Sequence, residues 1–311
     1  MTVVSDYRFV AIIRTQGRRP EMLAEALQSL SFQCPGCLAV VAVHAPFDLV
    51  NETAEICRDA GLSHQVLHAK DMERKRGYPL NIGLSYCYEA GGFDGLLFLD
   101  DDDIVYPHFT RRMAQALITS EADVIYAASN QRCLPGAPEA GYFPLNIAQL
   151  FIQNFIPINS YVIRFSRLVK ARLFFDETLD YTEDWYFLLR LLELGFRFEP
   201  LRDTLSEFRI TSDGNMTIKA NAAAWNRDSL QIRKYINKTM FSIGGADWVG
   251  IAQHLQNGIT DSAHCGDVLH QPAGDPRAFL LWEKLRRLWH KLPFRVRVLL
   301  TRAYNQYYRR V

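Results

Sequence analysis

Gly95-Leu-Leu-Phe-Leu-Asp-Asp-Asp-Asp103, followed by Ile104-Val-Tyr-Pro107, reads as a buried strand that ends in acid. The apolar run Leu96 to Leu99 has strand length, four carboxylates stop it at once, and Pro107 keeps it from running on. Four adjacent carboxylates repel one another, and a hard divalent cation such as Mg2+ or Mn2+ would neutralise them through oxygen ligands. Taken alone the run is equally a hydrated acidic turn. Its place favours a ligand site, because open α/β sheets gather ligands beyond the carboxyl ends of their strands.

Upstream, the pattern is alternation. Tyr7 to Ile13 is β-branched and aromatic and predicts a central strand; Arg14-Thr-Gln-Gly-Arg-Arg-Pro20 follows as a polar loop. Met22, Leu23, Ala26, Leu27 and Leu30 then recur at helical spacing behind Pro20. Strands are expected over 38–43 and 65–67, and helices over 50–60, closed by Gly61, and 78–89, stopped by Gly91-Gly92. Such alternation predicts a mainly parallel, Rossmann-like sheet flanked by helices.

Downstream, a helix is expected over 107–120 and a strand over 123–127. Residues 133–157 hold four prolines and many aromatics, the composition of a pocket-shaping loop. A strand over 159–165 and a short helix over 166–171 follow. Thr182 is the expected N-cap of a helix running through Leu194, a terminal strand spans 196–208, and a helix spans 221–236. The domain reading is one α/β unit over 1–240, divided into two parts at 1–127 and 128–240. A connector over 241–276 and a tail over 277–311 complete it.

Composition bounds the class. At 311 residues and 49% hydrophobic the chain can bury a sizeable core. Six scattered cysteines and the lack of a charged-apolar-small leader suggest a reducing, cytoplasmic setting. Cys34-Pro-Gly-Cys37 has redox or zinc spacing, but no second pair follows, and a plain turn is the favoured reading. The chain's net charge is +1, yet ten Lys or Arg and one Glu lie from Arg277 onward, which leaves residues 1–276 at −8. Leu281, Trp282, Leu285, Leu288 and Trp289 share one helical face of that tail, with basic residues around it. Two readings stand side by side: attachment to an anionic membrane surface on its cytoplasmic side, or a helical pair packed on the protein or a partner subunit. The acidic remainder argues against nucleic acid as a partner.

A second acidic feature, Glu183-Asp184, falls at a predicted helix start about eighty residues after the first. A cluster that can hold a metal and a carboxylate that can take a proton are together what transfer from a diphosphate donor needs. In order and context these pieces resemble the inverting family 2 glycosyltransferases of the GT-A fold, over roughly residues 7–215. Val10 to Pro20, Gly77-Tyr-Pro-Leu-Asn-Ile-Gly-Leu84, Phe98 to Asp103, Phe175 to Trp185 and Phe208-Arg-Ile-Thr211 carry the resemblance.

The resemblance implies a nucleotide-diphospho-sugar donor, a glycan or lipid-linked glycan acceptor, and Mg2+ or Mn2+ as cofactor. It implies Asp184 as base with Glu183 beside it, and Arg14, Thr15, His44, Arg76, Asn81, Asp100 and Asp101 toward the nucleotide. Asp102 and Asp103 would meet the metal, and Trp185 and Arg209 the substrate. Two departures stand out: His44 occupies the place of a base-reading Asp, and Thr211-Ser-Asp213 replaces a histidine-bearing loop. Alternatives from other classes are a sugar-nucleotide nucleotidyltransferase, whose glycine-rich, lysine-containing loop is missing, and a non-catalytic carbohydrate- or cation-binding module.

Overall fold

The structure, a computed structural model, describes residues 3–144, 146–210 and 222–241. The connector beyond Phe241, the basic tail and the loop at 211–213 lie outside these residues.

The expected alternation is present, with boundaries shifted by a few residues. In chain order the elements are β1 (Phe9–Thr15), α1 (Pro20–Ser31), β2 (Cys37–Val43), α2 (Phe47–Ala60), β3 (His64–His68), α3 (Gly77–Ala90) and β4 (Gly95–Asp100). Then follow β5 (Ile104–Val105), α4 (Phe109–Thr119), β6 (Val124–Cys133), β7 (Pro138–Tyr142), β8 (Tyr161–Arg164), α5 (Phe165–Ala171), α6 (Glu183–Glu193), β9 (Phe198–Ile210) and α7 (Ala222–Lys238). Among the described residues nine strands form one sheet in the order β3-β2-β1-β4-β8-β6-β9-β5, with β7 paired to β6.

The strands from β3 to β4 are parallel, and both faces of β1 are covered. Val10 and Ile12 pack toward Leu80 and Leu84 of α3, while Ala11 and Ile13 pack toward Leu23 and Leu27 of α1. A parallel strand buried on both faces therefore needs a continuous apolar run instead of alternation, as Phe9 to Ile13 provides. Helix α3 comes unusually close to the sheet at Gly83, where a Cβ would sit 2.5 Å from Ile12 Cγ2.

Beyond β4 the order changes. β8 joins antiparallel to both β4 and β6, β6 runs parallel to β9, and β5 and β7 add antiparallel edges. Register shifts between Ala127 and Ser129 bend the long β6–β9 pair. The prolines of 133–157 hide a hairpin arm, β7, and a 3-10 turn at Ile147–Phe151, neither of which the sequence pattern predicts.

Candidate active site

Carboxyl ends of β1 and β4 lie side by side, in a register that sets Arg14 opposite Asp100. The Arg14 guanidinium forks onto Asp100, Nε to Oδ1 at 2.6 Å and Nη2 to Oδ2 at 2.8 Å. Its Nη1 reaches Glu183 Oε1 at 2.5 Å, at the start of α6. Arg76, at the mouth of α3, meets the same two acids: Nε lies 3.2 Å from Glu183 and Nη2 3.7 Å from Asp100. Burial opposes ionisation of both acids, but the guanidiniums outweigh it and hold the two carboxyls below their usual range. Glu183 is 1% exposed and turned toward the two arginines.

The aspartate run divides. Asp101 turns to the β1 loop, accepting from Thr15 Oγ1 at 2.6 Å and from Arg19 Nη2 at 2.7 Å; the Thr15 hydroxyl in turn accepts from Gly17 N. Burial, only partly offset by Arg19, pushes the Asp101 carboxyl up to about 6. Asp102 pairs with Arg19. Asp103 is fully buried, accepts from Arg209 N at 2.8 Å, and leaves Oδ2 without a hydrogen-bond partner.

One oxygen from each of Asp100, Asp102 and Asp103 lies within 4.8 Å of the others. Three hard oxygen donors and an orphaned buried carboxylate oxygen fit a divalent cation of the Mg2+ or Mn2+ type. Asp100, expected toward the nucleotide, thus joins Asp102 and Asp103, while Asp101 points elsewhere. Burial and then the charges of Asp102 and Asp100 drive Asp103 far toward its protonated form, a cost a bound cation would remove.

Asp184 occupies the first turn of α6, half-buried. It accepts from Trp185 N at 2.7 Å and from Asn154 Nδ2 at 3.0 Å. Burial, and then the neighbouring charge of Glu183, raise it to about 7, the range of a general base working near neutral pH. Thr182 stands at the N-cap but makes no capping hydrogen bond, and its hydroxyl is buried without a partner. The carboxylate of Asp184 satisfies a free helical N–H instead.

Three expected contact residues have other work. Trp185 is 3% exposed, with its indole N–H given to Leu150 O at 2.7 Å, so no ring face is open for a sugar. Asn81 is consumed as a clamp: its amide donates to Phe175 O and Glu177 Oε1, and its oxygen accepts from Phe175 N. Arg209, 2% exposed, binds Asp102 O and Glu25 and braces the aspartate turn from behind. Trp185 and Arg209 are thus buried, and the side-chain amide of Asn81 is engaged within the fold. His44 stays at the carboxyl edge of β2, where its backbone N–H donates to Thr15 O, Nε2 lies 2.8 Å from Asp71 O and the ring meets Tyr78 edge-on.

Residues outside the expected set complete the site. Arg19 was visible only as one of three arginines at a strand end, and Asn154 carried no signal because its contact is made across the fold. Asp228, 2% exposed on α7, accepts from Asp180 N at 2.7 Å and Tyr181 N at 2.9 Å, so α7 fixes the approach to α6. Cys34 and Cys37 are free thiols.

No family model matches the chain, and no curated protein matches it. Solved structures do. S. aureus TarS matches with a TM-score of 0.56 at 17% identity, over 96% of this chain, which spans 55% of that longer protein. TarS 1-349 in complex with UDP matches with a TM-score of 0.56 at 17% identity, over 97% of this chain and 91% of that one. TarS 1-349 in complex with UDP-GlcNAc matches with a TM-score of 0.54 at 16% identity, over 97% and 92%. The fold is thus shared with TarS, a mainly parallel α/β sheet flanked by helices, as the sequence predicted.

Proposed function

We propose that this chain is an inverting, metal-assisted glycosyltransferase that moves a sugar from a nucleotide-diphospho-sugar to a hydroxyl of a glycan or lipid-linked glycan. The observation that carries it is one site with two chemistries: a carboxylate triad fitted to a cation, and a separate carboxylate, Asp184, raised to about 7. The TarS complexes with UDP and UDP-GlcNAc make uridine diphosphate the first donor nucleotide to try.

Asp184 takes the proton from the acceptor hydroxyl as that oxygen forms its bond to the anomeric carbon. The anomeric carbon–oxygen bond to the diphosphate breaks in the same displacement, its electron pair leaves with the diphosphate, and the configuration inverts. A cation held by Asp100, Asp102 and Asp103 would stabilise the charge on the departing diphosphate. Arg14 and Arg76 hold Glu183 ionised beside Asp184, and that fixed negative charge keeps the base's proton affinity high. Asn154 aims the base through its second oxygen. Arg14, Thr15, His44 and Asp101, at strand ends, and Arg76, at the start of α3, are proposed to face the nucleotide.

Calorimetric titration with UDP, GDP, dTDP and CDP, each with Mn2+ and with EDTA, tests the donor side. Metal-dependent binding of one nucleotide, lost in Asp102→Ala, is the expected result. No binding of any nucleotide under either condition sinks the reading in favour of a module without turnover. The tail at 277–311 is proposed to hold the enzyme at the cytoplasmic face of an anionic membrane, and no helix among the described residues is long and apolar enough to cross one. Unchanged liposome co-sedimentation after deleting 277–311 would refute that attachment.

A further inference from the structure

Four guanidiniums reach the acidic site, and they are not equivalent. Arg14 is wedged between Asp100 and Glu183 with its side chain 11% exposed, and the Arg209 side chain, 1% exposed, lies behind the aspartate turn. Arg76 bridges Asp100 and Glu183 at 31%. Arg19, at 37%, is the most exposed of the four and the one whose guanidinium pairs with the Asp102 carboxylate. It stands at the N-cap of α1, at the end of the loop that follows β1, and its side chain makes no capping hydrogen bond there. Turning its side chain breaks no helix-capping hydrogen bond.

On the reading of Asp100, Asp102 and Asp103 as a cation site, we infer that Arg19 is the chain's own stand-in for the cation, displaced from Asp102 when the ion binds and turned to the donor's diphosphate. Asp102 Oδ2 carries the Arg19 Nη1 hydrogen bond. A divalent ion and a guanidinium there compete for one carboxylate and repel each other. The second contact can persist: Arg19 Nη2 holds Asp101 at 2.7 Å, and Asp101 is itself fixed by the Thr15 hydroxyl. Arg19 therefore stays at the rim with one free edge of its planar fork, and that geometry suits phosphate oxygens. The arrangement neutralises the aspartates before the donor arrives and orders the site so that metal and nucleotide strengthen each other's binding.

The test is calorimetry on the full chain, with Mn2+ alone and with UDP at saturating Mn2+, for the wild type, Arg19→Gln and Arg19→Lys. Arg19→Gln is expected to bind Mn2+ alone about fivefold tighter, the size of one partly exposed charge pair. The same variant should bind UDP with Mn2+ about tenfold more weakly, as loss of one charged hydrogen bond does. Arg19→Lys should fall between on both counts. Opposite signs on two ligands are not what a merely structural residue produces, and equal thermal midpoints check the fold. In the unaltered protein, the Nε signal of Arg19 in nitrogen NMR should move on adding Mg2+, and again on adding UDP. Unchanged or weaker Mn2+ binding in Arg19→Gln, with wild type still binding Mn2+ and UDP, overturns this inference and leaves the proposed function standing. No Mn2+ or UDP binding by wild type or variant overturns both.

Discussion

The two halves of the sheet follow different rules. From β3 to β4 every strand is parallel to its neighbour, and each returns through a helix, so hydrophobic runs, polar loops and glycine stops alternate along the chain in the order of the fold. From β8 to β5 the sheet mixes directions, β9 is reached from far along the sequence, and β6 and β9 slip register where they bend. On the proposed function, the first half binds the donor through loops at strand ends. The second supplies the acid on α6 and its supports. The seam between them is β4 against β8, and the charges that cross it, Arg14 to Glu183 and Arg76 to Glu183, couple the halves.

The sharpest way to separate the halves is chemical. Asp184→Asn should lower transfer about 10^3-fold, roughly 4 kcal/mol of barrier, while Mn2+-dependent UDP binding on the other half stays near wild type. Loss of both together would mean that Asp184 shapes the donor pocket as well. Next comes the coupling itself. Arg14→Met leaves Asp100 and Glu183 with Arg76 alone, and urea unfolding should register a loss of about 3 kcal/mol, the scale of a broken buried ion pair. A change under 1 kcal/mol would show that Arg76 suffices.

A smaller effect is expected where α7 meets the loop before α6. Asp228→Ala removes the acceptor of two backbone N–H groups at Asp180 and Tyr181, and should cost about 2 kcal/mol; Asp228→Asn, which keeps an acceptor, should cost less. Equal losses from both would assign the effect to charge and not to the hydrogen bonds.

The mildest test is pH. As a base, Asp184 works ionised, so transfer should rise roughly tenfold from pH 6 to pH 8 around its value of about 7. Stability has the opposite sign at this residue. The folded carboxyl holds its proton more tightly than the ordinary 3.8 of the unfolded chain, so its contribution is present below about 4 and is lost as pH rises through about 7. Asp184→Asn should abolish that part of the pH dependence, and a pH–stability profile identical to wild type would contradict the raised value.

How far reading the residues reached follows the same division. The strand at 95–100, its acidic end, and the helix bearing Glu183 and Asp184 were all legible, because each is encoded by neighbours in the chain: an apolar run, a charge cluster, a proline or glycine stop. The β7 arm was missed because prolines at 135, 138 and 144 mask a short edge pairing, and β5 because two residues carry no period. Trp185, Asn81 and Arg209 were assigned to ligands through the resemblance, and how deeply each is buried depends on what packs above it.

Residue order along the chain was enough to specify a parallel βα half, an acidic strand end and a helix opening on two acids, since these rest on local periodicity and on charges adjacent in sequence. Which of four aspartates face a common point and which arginine neutralises each arise from contacts far apart along the chain, 82 residues for Arg19 to Asp101 and 184 for Arg209 to Glu25, while Asp184 is raised by its burial in the fold and then by the adjacent Glu183. Those effects exist only in the folded chain, within the first half as well as between the halves, because electrostatic energies depend on distance and burial in space and not on separation along the chain.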